Sequence, residues 1–279
     1  MPDARRSRRA ESDDVELNRA IRRLLQLFVV LGILIVMGVV GFVVWLQRGQ
    51  NAQKLLDAAE KNQPEAITRL LASGVDPNTV NEEGQSALMI ASLHGFQPIA
   101  EILLQHGAAV DAKDNRQETA LRLAGSAHPE MVKLLLEHKA DPNVKDFYGK
   151  TLLVALCEAG ADRDIETLRL LLAHGADPNI PGENGAPLLY AINIGQHGDA
   201  EIARLFLEHG AKTDVKDRTG TSALICAVDK HNAEIVKALI AAKVPLNATD
   251  SLGRTALKVA EDHQLTEIAA LLKKAGGKE

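Results

Sequence analysis

The chain has 279 residues, of which 46% are hydrophobic, 25% charged and only 3% aromatic, and its formal net charge is −5. These proportions exclude a collagen, a long coiled coil and a wholly disordered protein. Two cysteines exclude a disulfide scaffold and fall short of the soft ligands of a structural zinc site, and the mildly acidic balance argues against a nucleic-acid partner, which needs a concentrated basic face.

Residues 1–23 form a basic segment with Arg5, Arg6, Arg8, Arg9, Arg19, Arg22 and Arg23. Leu27 to Leu46 follow, 20 residues with no charged side chain and, apart from the indole of Trp45, no hydrogen-bonding one. At about 1.5 Å per residue such a helix spans roughly 30 Å, the hydrocarbon thickness of a bilayer. It is apolar on every face, and Gln47, Arg48, Gly49 and Gln50 after it carry no cleavage pattern. Residues 24–46 therefore predict one uncleaved transmembrane helix, with 47–53 as a linker, and the lipid bilayer as a partner. Seven arginines precede the span, against Arg48, Lys54 and Lys61 in the twenty residues after it. This bias places the N-terminus in the cytoplasm and the rest of the chain across the membrane, in the periplasm if the membrane is a bacterial inner membrane.

Beyond the linker two phrases alternate. One reads NEEGQSALMIA from Asn81, DNRQETALRLA from Asp114, DRTGTSALICA from Asp217 and DSLGRTALKVA from Asp250, with looser copies from Asp146 and Gly182; the intervals are 33, 32, 36, 35 and 33 residues. The other trails it, as LLASGVDPN ending at Asn78, LLEHKADPN at Asn143 and LLAHGADPN at Asn179. Ser86, Thr119, Thr151, Ser222 and Thr255 sit where a hydroxyl caps a helix N-terminus, and Gly74, Gly107, Gly175, Gly210 and Gly276 where a left-handed residue ends one. Ala58, Ala91, Ala124, Ala227 and Ala260 supply small residues where helices come closest. No single copy encloses a core, so the copies must stack.

A period near 33 with both phrases resembles the ankyrin repeat. The resemblance covers roughly residues 51–279 and implies an all-α ankyrin-repeat solenoid of about seven helix-turn-helix repeats over 54–279. Three departures stand out. Lys139 and Lys243 occupy glycine stops, where the turn is either strained or rebuilt. The hairpins of the fourth and fifth repeats are one residue short. Their helix-helix turns, Gly160–Asp164 and Gly195–Asp199, are lengthened into a local bulge, for which a neutral insertion is the plainer explanation.

No HExxH, phosphate loop or nucleophile elbow appears, and no cofactor, metal or catalytic residue is expected. His106, His138, His174 and His209 recur in the last turn of an outer helix, where imidazoles bond terminal carbonyls. Cys157 and Cys226 fall in inner helices two repeats apart, too far for a disulfide, and read as buried free thiols. By resemblance, partners bind a concave face of hairpin tips and inner helices. The variable tips run through Glu82, Glu83 and Gln85; Asn115, Arg116 and Glu118; Phe147, Tyr148 and Lys150; Glu183 and Asn184; Arg218, Thr219 and Thr221; Ser251, Leu252 and Arg254. The candidate protein-binding residues are Phe147, Tyr148, Lys150, Arg116, Glu183, Asn184, Arg218 and Arg254. Phe147 and Tyr148 either anchor a partner or pack on a neighbouring hairpin.

The chain resembles bacterial membrane-anchored ankyrin proteins of the cell envelope. That implies a module that is not an enzyme and that binds a partner protein, as a scaffold or stabiliser, or alternatively as an immunity-type inhibitor of a toxin. A metal-dependent enzyme or regulator is a remote alternative needing a polar cluster in the groove.

Overall fold

The computed structural model describes residues 34, 36–40, 42, 47, 49–159, 165–183, 185–193 and 199–279. The chain divides into two units, Met1–Lys54 and Leu55–Glu279. In the first, the basic segment 1–23 and most of the predicted span, Trp45 included, lie outside the described residues. The described part of the span is helical, with Leu34, Val36, Met37, Val39, Val40 and Phe42 exposed. Among the described residues no helix is long and apolar enough to cross a membrane. Of the expected linker, residues 47 and 49–53 are helical, in keeping with a run of Gln, Asn and Ala that holds no helix breaker after Gly49.

In the second unit, helical residues 55–60 are followed by α1 (Pro64–Ala72), α2 (Ala87–His94), α3 (Gln97–Gln105), α4 (Ala120–Ala124), α5 (Pro129–Glu137), α6 (Leu152–Glu158), α7 (Ile165–Ala173), α8 (Pro187–Asn193), α9 (Ala200–Glu208), α10 (Ala223–Asp229), α11 (Ala233–Ala241), α12 (Ala256–Asp262) and α13 (Thr266–Ala275). Residues 55–60 and the even-numbered helices form an inner layer, and the odd-numbered helices an outer one. Each outer helix packs on the next from α1 to α13, and inner helices do the same from α6 to α12. Among the described residues this makes seven helix pairs in series, built on one apolar cluster that runs from Leu55 to Leu272.

The inner helices begin where the phrase puts a hydroxyl. Ser86, Thr119, Thr151, Ser222 and Thr255 each accept a hydrogen bond from the backbone N–H three residues on. In the fifth repeat Ala186 stands in that place, and α8 opens instead on Pro187, whose missing N–H is harmless in a first turn. Ala91, Ala124, Ala227 and Ala260 are fully buried, which lets the inner helices approach. At the outer helix ends Gly107 adopts φ 84°, and Lys139 (φ 67°) and Lys243 (φ 59°) keep the same left-handed geometry, so these turns are strained rather than rebuilt. Asp199 of the second insertion caps α9 by accepting from Ile202 N–H; Gly160–Asp164 and Gly195–Gly198 lie outside the described residues.

Polar staples join successive repeats. Asn78 donates to Gly107 O (3.4 Å) and accepts from Ala109 N–H (2.7 Å). Asn143 does the same with Gly175 O (2.9 Å) and Asp177 N–H (2.8 Å), and Asn179 with Gly210 O (3.2 Å) and Lys212 N–H (2.9 Å). The Asn that closes the second phrase is thus the residue that sets the spacing to the following repeat.

Candidate protein-binding surface

Five of the six hairpin tips, all but the one that opens on Gly182, are bent around an Asp or Asn side chain at the first position of the phrase. Asp146 Oδ1 accepts from the N–H groups of Tyr148 and Lys150, both at 2.9 Å. Asp114 serves Arg116 and Glu118 in the same way, Asp217 serves Thr219 and Thr221, and Asp250 serves Leu252 and Arg254. A short carboxylate bonded two and four residues ahead makes a rigid turn. Burial pushes the Asp217 carboxyl up, but the Thr219 hydroxyl and the two backbone N–H groups outweigh it and hold it below the usual range. Adjacent tips are stitched together: Asn115 N–H donates to Glu83 O (3.0 Å) and Phe147 N–H to Arg116 O (3.1 Å).

This framework turns Phe147 and Tyr148 outward. They are 71% and 80% exposed, and their rings meet edge to face at 5.6 Å. They touch each other rather than burying themselves on a neighbouring hairpin. Lys150, from the same tip, turns inward. Its ammonium lies 2.7 Å from Glu158 at the end of α6 and 2.8 Å from Glu183 in the next repeat, and its side chain is only 22% exposed. Glu158 also accepts from Glu183 N–H (3.1 Å) and the Tyr190 hydroxyl (2.8 Å). Burial alone would raise the Glu158 carboxyl, but the bonds from Lys150, Glu183 N–H and Tyr190 hold it below its ordinary value. The bonds to Glu158 and Glu183 correspondingly raise Lys150. Gly182 is obligatory beneath this network, since a Cβ there would lie 2.6 Å from Val154 Cγ1 and 2.7 Å from both Glu158 Oε1 and the Tyr190 oxygen.

Arg218 donates through Nε (2.9 Å) and Nη2 (2.6 Å) to Glu183 O, which extends the network into the sixth repeat. The structure therefore gathers Lys150, Glu183 and Arg218 into one cross-repeat cluster. Arg254 is held within its own hairpin by Asp250 at 2.8 Å, Arg116 is exposed, and Asn184 lies outside the described residues. Spacing did not disclose Glu158, Tyr190 or the Arg122–Asp146 pair (3.0 Å). The turn-forming carboxylates did leave a signal, because the phrase opens on Asp or Asn in five of its six copies.

Elsewhere, Nδ1 of His106, His174 and His209 lies 2.8, 2.9 and 2.9 Å from the carbonyl four residues back, the expected end-of-helix role. Cys157 and Cys226 are buried and unbridged, and burial, reinforced by Asp217 and Asp229, pushes the Cys226 thiol up to about 12. Among the described residues no group of three or more His, Cys, Asp or Glu side chains is arranged to hold a metal ion.

Comparison with known proteins follows the same architecture. The solved ankyrin repeat domain of Bcl-3, described as a member of the IkappaB protein family, superposes with a TM-score of 0.64 at 24% identity, covering 79% of this chain and 97% of its own. Cyclin-dependent kinase 4 inhibitor B of Bos taurus is 32% identical over 122 residues, 43% of this chain and 92% of the cattle protein. Human SH3 and multiple ankyrin repeat domains protein 2 is 34% identical over 115 residues, 40% of this chain but 6% of that much longer protein. The family description "Ankyrin repeats (3 copies)" matches residues 55–146 and 188–278, leaving between them the stretch that carries Phe147, Tyr148, Lys150, Glu158 and Glu183. With more than half its length matched, and with caps, stops and inter-repeat staples recurring at the same period, the chain belongs to the ankyrin repeat family.

Proposed function

We propose that this chain is a protein–protein interaction module that holds a partner protein on its hairpin tips, with Phe147 and Tyr148 as the anchor. The observation that carries the reading is the exposure of two adjacent aromatic side chains, 71% and 80%, on a tip whose backbone is rigidly bonded. Aromatic groups presented at low entropic cost dominate binding energy at interfaces, and a rigid mount lowers the cost further. Lys150, Glu183 and Arg218 take a supporting part, holding neighbouring tips in register.

The module is tethered, in this reading, by residues 24–46 to a bacterial inner membrane, with residues 1–23 cytoplasmic and the repeats periplasmic, where it serves as scaffold or stabiliser of an envelope protein. The charge bias around the apolar run supports that orientation. Replacing Phe147 and Tyr148 together by Ala should abolish capture of the partner in a pull-down from membranes while leaving the thermal unfolding midpoint unchanged; a lowered midpoint with capture intact would overturn the anchor. Reporter fusions at the C-terminus, active on only one side of the membrane, test the orientation.

A second reading, an immunity-type inhibitor of an incoming toxin, draws support from the cattle relative, whose name gives inhibition as its act. The two differ in one readout: a stabiliser preserves the captured partner's activity, an inhibitor suppresses it.

A further inference from the structure

We infer that the segment captured at this site is acidic and carries an apolar side chain, and that it lies across the hairpin tips of the third and fourth repeats. This rests on the protein-binding reading of Phe147 and Tyr148 and adds the chemistry of what they bind.

The carboxylates of these two hairpins face inward. Asp114 is buried, at 4% exposure, and bonded to its own turn. The Asp146 side chain is 5% exposed, capping its turn and meeting Arg122. Glu118 lies 3.9 Å from Arg122, and Glu158 is taken by Lys150 and Tyr190. Glu183, the exposed carboxylate beside them, is engaged by Lys150. The cations left on the outer surface beside the aromatic pair are Lys113, Arg116 and Lys145, all exposed. Lys113 Nζ rests on Lys145 O (3.4 Å), and among the described residues none of the three pairs with a carboxylate.

An apolar platform rimmed by three cations without an ion-pair partner complements an anionic strip with an apolar residue in it. A neutral segment would desolvate those cations without pairing them, and a basic one would be repelled. Burial of the rings supplies affinity, and the cations supply encounter rate and register. The preceding tip carries exposed Glu82 and Glu83, which repel the same strip and so limit how far it extends toward the second repeat.

The test is to pan a random peptide display library against the full chain in detergent, then measure the selected peptides on variants. Enriched peptides should be rich in Asp and Glu around a Leu, Phe or Trp, and their affinity should weaken as salt rises. Arg116→Glu with Lys145→Glu should weaken them by about tenfold or more, and panning that variant should select Lys- and Arg-rich peptides instead. Peptides that need Phe147 and Tyr148 but are indifferent to the charge reversal would overturn this inference and leave the anchor standing. Peptides indifferent to Phe147→Ala with Tyr148→Ala would overturn both. Enrichment of basic or uncharged peptides, failure to enrich any, or capture of phosphatidylglycerol vesicles through Arg116 and Lys145 without an acidic-peptide preference would each overturn it.

Discussion

Gln117, Lys139 and Lys243 hold φ of 62°, 67° and 59°, at places where other repeats put glycine. A Cβ in that region crowds the following carbonyl, and each site stores about 1 kcal/mol of strain. Replacing any one of them by Gly should raise unfolding stability by about 1 kcal/mol, less the extra entropy glycine gives the unfolded chain. Urea titration of the three single variants checks this; a fall in stability at all three would mean that the side chains contribute more than the strain removes. Glu158 is the carboxylate that joins the tip of the fourth repeat to the fifth, through Lys150, Glu183 N–H and the Tyr190 hydroxyl. Its carboxyl is depressed in the folded protein, so its contribution is present above its ordinary value of 4.5 and is lost as pH falls below it. Lys150 is raised, so its contribution is complete below its ordinary value of 10.5 and is lost as pH rises from there through the folded value. Stability of Glu158→Gln should therefore lie below that of the unaltered chain across neutral pH and converge with it in acid. Parallel urea midpoints from pH 3 to 8 would reveal a constant gap if the carboxylate is not the cause.

Among elements, the hairpin and the helix pair were the most legible features of the sequence. Thr151 and Ser222 announce helix starts because a hydroxyl before an apolar run has one local use, and Gly107 announces a stop for the same reason. The turn at Lys139 was legible as a site of conflict, and its outcome is the left-handed stop, closed by bonds from Lys139 N–H to Leu136 O (2.9 Å) and from Ala140 N–H to Leu135 O (3.0 Å). Lys150 illustrates what spacing conceals. Its place on a tip suggested a partner contact, whereas Glu158 and Glu183, 8 and 33 residues away, draw it inward. Such pairing depends on how one repeat is set on the next, which no local pattern encodes. Asn143 makes the same point for the spacing itself, with one side chain bonded at both Gly175 and Asp177. Asn143→Ala should cost about 1 kcal/mol, because it removes two bonds to a carbonyl and an N–H of the next repeat, both exposed and able to take water in exchange. Calorimetry on this variant would show an unchanged midpoint if water replaces both bonds without loss.

Over the repeat unit as a whole, order comes from links that each join one repeat to the next. The outer layer adds ion pairs in series, Arg169 with Glu201 (2.6 Å), Arg204 with Glu234 and Lys237 with Glu267 (3.2 Å), tying α7, α9, α11 and α13 together. They are half exposed and screened, so their effect is on alignment more than on stability. The Asn staples, the tip bonds and this ladder share one property: none reaches beyond the adjacent repeat. Drawn apart from its two ends, such a stack has no long-range tie to share the load, and it should yield as a chain of separate latches. Each latch, one repeat of roughly 33 residues, releases on the order of 110 Å of chain when it opens. A single molecule held between optical traps should lengthen in steps of that size and shorten by the same steps on relaxation, whereas one rupture of the full length would mean that the repeats fail together. Under the proposed tether, a module gripping a partner along its tips would behave as a spring that surrenders slack in measured portions rather than snapping.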